Sequence, residues 1–359
     1  MLKNEVKLRE LPPLKDRLEM AEILQKEVYG YLPSVQYEMK VSEPVILERR
    51  FAKGKVHHSR VQMEISANGK IHSFAVDRLL HVDGAKRPLI IYPNFHPMGA
   101  SQYFPIEELA EYDADYLVFC YKDVSSDDGD MQNGLGALLL PEGQSTPHTC
   151  GKIGIWAWAA QRVLDYGLTL PGTDAANIGV AGHSRLGKTA LFCAMTDERF
   201  KYAYSNASGC AGAALARGNS GNDVDPKTKG RGETYYDIYT RFPFWFCPAF
   251  EKYTVANVGT DFDQHYLLAT IAPRFLLVGS CSMDGWADPI SEQLACVAAS
   301  EKWEADGITG ACFNEIIAPD KAYLEGRIGY FKLDSQHFMS RHGWRRFIEF
   351  IELHKTETI

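Results

Sequence analysis

Hydrophobic and polar positions change their period near residue 88. Upstream, residues 36–80 alternate polar and apolar, as in RVQMEISANGKIHSFAVDRLL (60–80). That alternation is the mark of half-buried strands, and the Asn68-Gly69 pair inside it predicts a β-hairpin turn. Residues 10–32, including RLEMAEILQKEVYGYL, carry a helical pattern. Downstream the apolar positions run together in short blocks: PLIIYPNF, DYLVFCY, NIGVAG and RFLLVGS. Helical stretches such as GIWAWAAQRVLDYGL and SEQLACVAASEKWEADG separate them. Continuous apolar strands alternating with helices predict a mostly parallel sheet covered on both faces, with the antiparallel start at its edge. The expectation is one α/β domain over 1–359, in which 1–87 form an N-terminal helix and antiparallel edge strands.

Composition removes some classes. The net charge of −8 disfavours a general nucleic-acid binder. No run of 18 apolar residues predicts a membrane span, and the charged start MLKNEVKLRELPPLKDRLEM has no apolar core of a secretion signal. A cytoplasmic protein is therefore expected. The eight cysteines include no C-x-x-C pair, so they are read as buried free thiols, with no metal or cofactor implied. The carboxylate-rich YKDVSSDDGD (121–130) lacks a recognisable ligand spacing and is read as a solvated loop.

Candidate chemistry gathers at ANIGVAGHSRLGKTALFCAM (176–195). Ser184 falls on the turn from a buried strand to a helix, where open α/β sheets place their ligands. A glycine before it permits a tight backbone, and the helix start offers free N–H groups to an oxyanion. This is the nucleophile-elbow arrangement, although G-x-S-x-G has Leu186 in its fifth place and glycine one later, at Gly187. The competing reading is a serine that merely caps a helix. In α/β-hydrolases the acid and the histidine follow the serine in the chain. Asp284 and Asp288 lie in the loop after RFLLVGS, with Asp288 suited to a helix cap before Pro289. His337 and His342 lie in LDSQHFMSRHGW before a last helix. His96 and Pro97, after an early strand, mark either a second oxyanion donor or a plain turn.

The blocks GHSRLGKTAL, SNASGCAGAAL, GRGETYYDI, FPFWFCPAFEKY, DQHYLLATIAPR, DGWADP and GYFKLDSQH follow one another in order. As a set they resemble the bacterial glucuronoyl esterases, carbohydrate esterase family fifteen, whose homologues are often labelled acetyl xylan esterases. The resemblance runs from about residue 88 to 350. It implies an α/β-hydrolase fold and hydrolysis of an ester on 4-O-methyl-glucuronate, without a cofactor. By the same resemblance Ser184 is the nucleophile, His337 the base, and Arg185 an oxyanion-holding residue. Lys188, Glu233 and Trp286 fall at positions contacting the sugar ring. The chain departs from the family at Ala207, where many members carry the triad glutamate. Asp284 is then the expected acid and Asp288 the second choice. The partner implied is a small carbohydrate ester, glucuronoyl or alternatively acetyl; a non-catalytic sugar-binding homologue is the third possibility. Loop 216–233, glycine-rich and polar, is expected beside the cleft as a gate or specificity element.

Overall fold

In the computed structural model, residues 2–8, 10–140, 142–217, 232–254 and 260–359 are described. The strands are β1 (Glu38–Val41), β2 (Val45–Phe51), β3 (Val56–Ala67), β4 (Lys70–His81), β5 (Arg87–Asn94), β6 (Asp115–Cys120), β7 (Thr173–His183), β8 (Tyr202–Asn206), β9 (Phe275–Cys281), β10 (Lys321–Tyr323) and β11 (Ile328–Leu333). They form one sheet in the order β1-β3-β4-β6-β5-β7-β8-β9-β11-β10, with β2 also paired to β3. The pairings from β6 through β5, β7, β8 and β9 to β11 are parallel. Those of β1 to β4, and of β10, are antiparallel and lie at the two edges. The predicted hairpin is β3–β4, and Asn68 (φ 52°) and Gly69 (φ 73°) take the left-handed conformations that a two-residue turn requires.

The continuous apolar blocks divide between two cores because side chains alternate across a strand. Leu89 and Ile91 belong to one cluster, Ile90 and Tyr92 to the other. The first cluster takes up the helices α1 (Arg17–Leu24), α2 (Lys152–Gly167), α3 (Arg185–Thr196) and α4 (Pro289–Glu304). The second is sealed by Trp344, Phe347 and Phe350 of α5 (Arg341–His354). Helices on both faces of a mostly parallel sheet make this the expected α/β arrangement.

Two readings need correction. The helix anticipated over 10–32 starts only at Arg17, capped by Asp16, because Pro12-Pro13 cannot continue a helix backwards. It widens into a π-turn at Gln25–Tyr29 and stops at Gly30 (φ 83°), where a Cβ would lie 2.3 Å from Cys150 Cα. Two strands inside the sheet, β8 and β11, were not among the apolar blocks read from the sequence, since tyrosine, serine and lysine interrupt them. Seven cysteines are buried and Cys312 is exposed; none is bridged. Among the described residues no helix is long and apolar enough to cross a membrane.

Candidate active site

Ser184 follows β7 and stands at the N-cap of α3 with φ 58° and ψ −126°, a conformation L-residues adopt only when their surroundings impose it. What imposes it is close backbone packing. A Cβ on Gly182 would stand 1.9 Å from the Leu186 carbonyl oxygen, so only glycine fits there. A Cβ on Gly187 would come within 3.0 Å of the Ser208 side chain, so the second glycine serves the crossing from β8 rather than the turn itself. Leu186 can therefore occupy the fifth place of the motif, fully buried. The Ser184 N–H donates to the Asn206 carbonyl at 2.9 Å. Gly187 N–H already donates to the Ser184 carbonyl at 2.9 Å, whereas the N–H groups of Arg185 and Leu186 have no carbonyl one turn behind them, which leaves a positive end beside the hydroxyl.

The histidine and its acid come together through the chain between them. The loop after β9 is bound to the loop after β11: Ser282 N–H donates to Leu333 O at 2.8 Å and Met283 N–H to Ser335 O at 3.0 Å. Asp284, next along, is buried and its Oδ2 lies 2.5 Å from His337 Nδ1. The Asp284 Oδ1 accepts from Ala287 N–H at 3.3 Å. Asp288, the second choice, instead caps α4 by accepting from Ser291 N–H at 3.0 Å. His342 sits exposed in the first turn of α5 and does not enter the site. Ala207, where a glutamate was missed, is buried in a cluster of small side chains with Cys281 and Ala287.

Ser184 and His337 line one cleft of about 330 Å³, together with Asp284, Arg185, Lys188, Glu233 and Trp286. Of the residues singled out in the sequence the structure thus brings these seven together, whereas Asp288, His342 and the exposed His96 and Pro97 do not line the cleft. Among the described residues the Ser184 hydroxyl makes no hydrogen bond to His337; such contacts commonly tighten only when substrate binds. Loop 216–233 lies outside the described residues over 218–231.

The sugar-facing wall is built on buried charge. Lys188 is buried, and its ammonium donates to the Ser208 carbonyl and, at 2.6 Å, to that of Cys210. Two of its three N–H groups are thereby committed to the loop after β8. Burial pushes Glu233 up to about 8, against the pull of Lys188, and its Oε1 finds no hydrogen-bond partner among the described residues. The Arg241 guanidinium stacks over the Trp286 indole at 3.8 Å. Sequence reasoning missed Glu292 of α4, whose Oε1 accepts from Gly209 N–H at 3.0 Å and whose Oε2 lies 2.5 Å from Ser280 Oγ. Burial pushes it too up to about 8. A carboxyl whose folded pKa is raised keeps its proton while the unfolded chain loses it. Stability therefore falls as pH rises from about 4.5 to about 8, and Glu233→Gln should flatten that fall in urea titrations run across the window.

Two further residues frame the hydroxyl. His183, buried, accepts at Nδ1 from the Asn206 amide at 2.9 Å and packs its ring 4.5 Å from that of His337. Burial, reinforced by His337, holds it well below the ordinary range, so it stays neutral when its neighbour gains a proton. Arg185 is ion-paired with Asp127 and packs against Trp245 at 4.7 Å. The 121–130 segment, expected to be a solvated loop, is exposed over 128–130 but places half-buried Asp127 behind the site; the signal in the sequence, an aspartate run, did not distinguish it.

A family model described as glucuronyl esterase, fungi, matches residues 63–307. The chain belongs to the glucuronyl esterase family. This family member is 35% identical over 241 residues to a carbohydrate esterase of an unknown prokaryotic organism, covering 67% of this chain and 53% of that protein. It is 30% identical over 300 residues to a 4-O-methyl-glucuronoyl methylesterase of Podospora anserina, covering 80% and 55%. It thus spans about half the length of these curated relatives. Among solved structures, a promiscuous CE15 esterase from the marine bacterial metagenome superposes with a TM-score of 0.82 at 26% identity, covering 95% of this chain and 91% of that one. The glucuronoyl esterase from Solibacter usitatus gives 0.81 at 26%, covering 94% and 92%. The α/β-hydrolase fold expected of a glucuronyl esterase family member is the fold observed.

Proposed function

We propose that the chain is a serine esterase that hydrolyses glucuronoyl esters, with 4-O-methyl-glucuronate as the acyl group. The observation that carries the reading is the buried Asp284 carboxylate 2.5 Å from His337 Nδ1, in the same cleft as a serine held at the start of α3. Asp284 fixes the proton on Nδ1, which leaves Nε2 to accept the Ser184 proton as the hydroxyl attacks the ester carbonyl. The carbonyl becomes a tetrahedral oxyanion, stabilised by the first-turn N–H groups of α3 and by Arg185. His337, now cationic beside Asp284, returns the proton to the departing alcohol oxygen as the C–O bond breaks. Water then loses a proton to His337 and attacks the acyl-enzyme; the acyl C–Ser184 Oγ bond breaks, Oγ takes the proton back from His337, and the uronic acid is released. Neutral His183 adds no repulsion to the imidazolium.

The polar wall supports a sugar acid as acyl group. Lys188 commits two of its three N–H groups, Glu233 has an oxygen with no hydrogen-bond partner among the described residues, and Trp286 lines the cleft with its indole; each matches a feature of a hydroxylated pyranose. A bare acetyl group would meet none of them. The intact Asp284–His337 pair also speaks against a non-catalytic homologue. The test compares the methyl ester of 4-O-methyl-glucuronate with acetylated xylo-oligosaccharide. The uronate ester should have the higher kcat/KM by about 100-fold or more; the reverse order would replace it with the acetyl esterase reading.

A further inference from the structure

We propose that Asp127 is a positioning residue for the reaction: it holds the Arg185 guanidinium ready for the oxyanion before substrate arrives. The inference rests on the serine-esterase reading. Asp127 is half-buried, with its side chain only 8% exposed, and it accepts from Arg185 Nη1, from Tyr121 Oη at 2.8 Å and from Trp245 Nε1 at 2.8 Å. Its two oxygens are thereby fixed by three donors from three separate parts of the chain. The loop that carries it is itself anchored. The buried Lys152 ammonium of α2 donates to Ser125 Oγ at 2.7 Å and to the Asp130 carbonyl at 2.6 Å, and Trp156 Nε1 donates to the Ser125 carbonyl at 3.1 Å.

The guanidinium gains two things from this carboxylate. Its plane is set, because the ion pair works together with Trp245 at 4.7 Å, Phe242 at 5.5 Å and Phe95 at 5.8 Å from the guanidinium carbon. Its charge is also matched, which offsets the water the cation loses on packing among these rings. A long, flexible arginine would have to be ordered each time charge developed on the substrate. Held in advance it needs no reorganisation, which is where oxyanion donors derive their effect. Only Nη1 donates to Asp127, so the ion pair does not exhaust the five N–H donors of the guanidinium.

The test is a double-mutant cycle on the methyl glucuronate ester. Asp127→Asn, which keeps shape and loses charge, should lower kcat by about 10- to 100-fold with KM changed by less than about threefold. In an Arg185→Ala background the same change should cost less than about threefold, because its effect travels through the missing arginine. Equal losses in both backgrounds, a loss confined to KM, or an unchanged kcat would overturn the proposal. The rate of Ser184 labelling by a small fluorophosphonate, which needs the nucleophile and oxyanion site but no sugar, should follow the same cycle. If the ester is not turned over while labelling follows the cycle, the substrate reading fails and the role of Asp127 stands. A wild type that does neither overturns both. If Asp127→Asn does not fold, Trp245→Phe takes its place; it frees one carboxylate oxygen, keeps an aromatic ring, and should show the same dependence on Arg185 at about 3- to 10-fold.

Discussion

Ser184→Ala should lower kcat on the methyl glucuronate ester by about 10⁵-fold or more, with the fold and sugar affinity retained. The side chain faces a cleft and makes no hydrogen bond among the described residues, so its removal breaks no internal hydrogen bond among them. The left-handed backbone at 184 is held by Gly182 and by the N–H bond to Asn206, neither of which involves the hydroxyl. Thermal unfolding should therefore move little while turnover and phosphonate labelling both disappear. An unchanged rate would remove the nucleophile assignment and every step drawn from it.

Asp284→Asn should lower kcat by about 10⁴-fold. The amide can donate where the carboxylate accepts, and it then favours the imidazole tautomer whose proton sits on Nε2, where the serine proton must go. It also withdraws the charge opposite the imidazolium. Asp288→Ala provides the contrast. Its carboxylate caps α4 through Ser291, so the loss should be about 1–2 kcal/mol of stability, read from denaturant midpoints, with kcat largely kept. The opposite pattern, turnover lost with Asp288 and kept with Asp284, would reassign the acid.

Much of this site could be read from the chain because its residues sit at positions set by local structure. Ser184 and Lys188 fall one helical turn apart at a strand-to-helix junction, and the junction is visible in the apolar run and its glycines. Asp284 and His337 each follow a strand, and the order serine, acid, histidine survives in the sequence. The residues that escaped notice act over longer distances. Asp127 looks like any aspartate in a run of carboxylates until the fold brings Arg185, Tyr121 and Trp245 to it. Glu292 lies in a helix whose pattern gives no reason to expect a buried carboxyl beneath Gly209. His183 could be named only as the variable place of the motif.

The sequence by itself determined the alternation of strands and helices, the Asn68-Gly69 hairpin and the turn that presents Ser184, because each depends on neighbours within a few residues. Only the tertiary structure decided that Asp284 rather than Asp288 meets His337, that Arg185 is held by Asp127, and that Glu233 is buried deeply enough to be pushed up to about 8. Those outcomes depend on which loops lie side by side at the carboxyl ends of non-consecutive strands, and on how completely water is excluded between them. Neither quantity is encoded in local spacing.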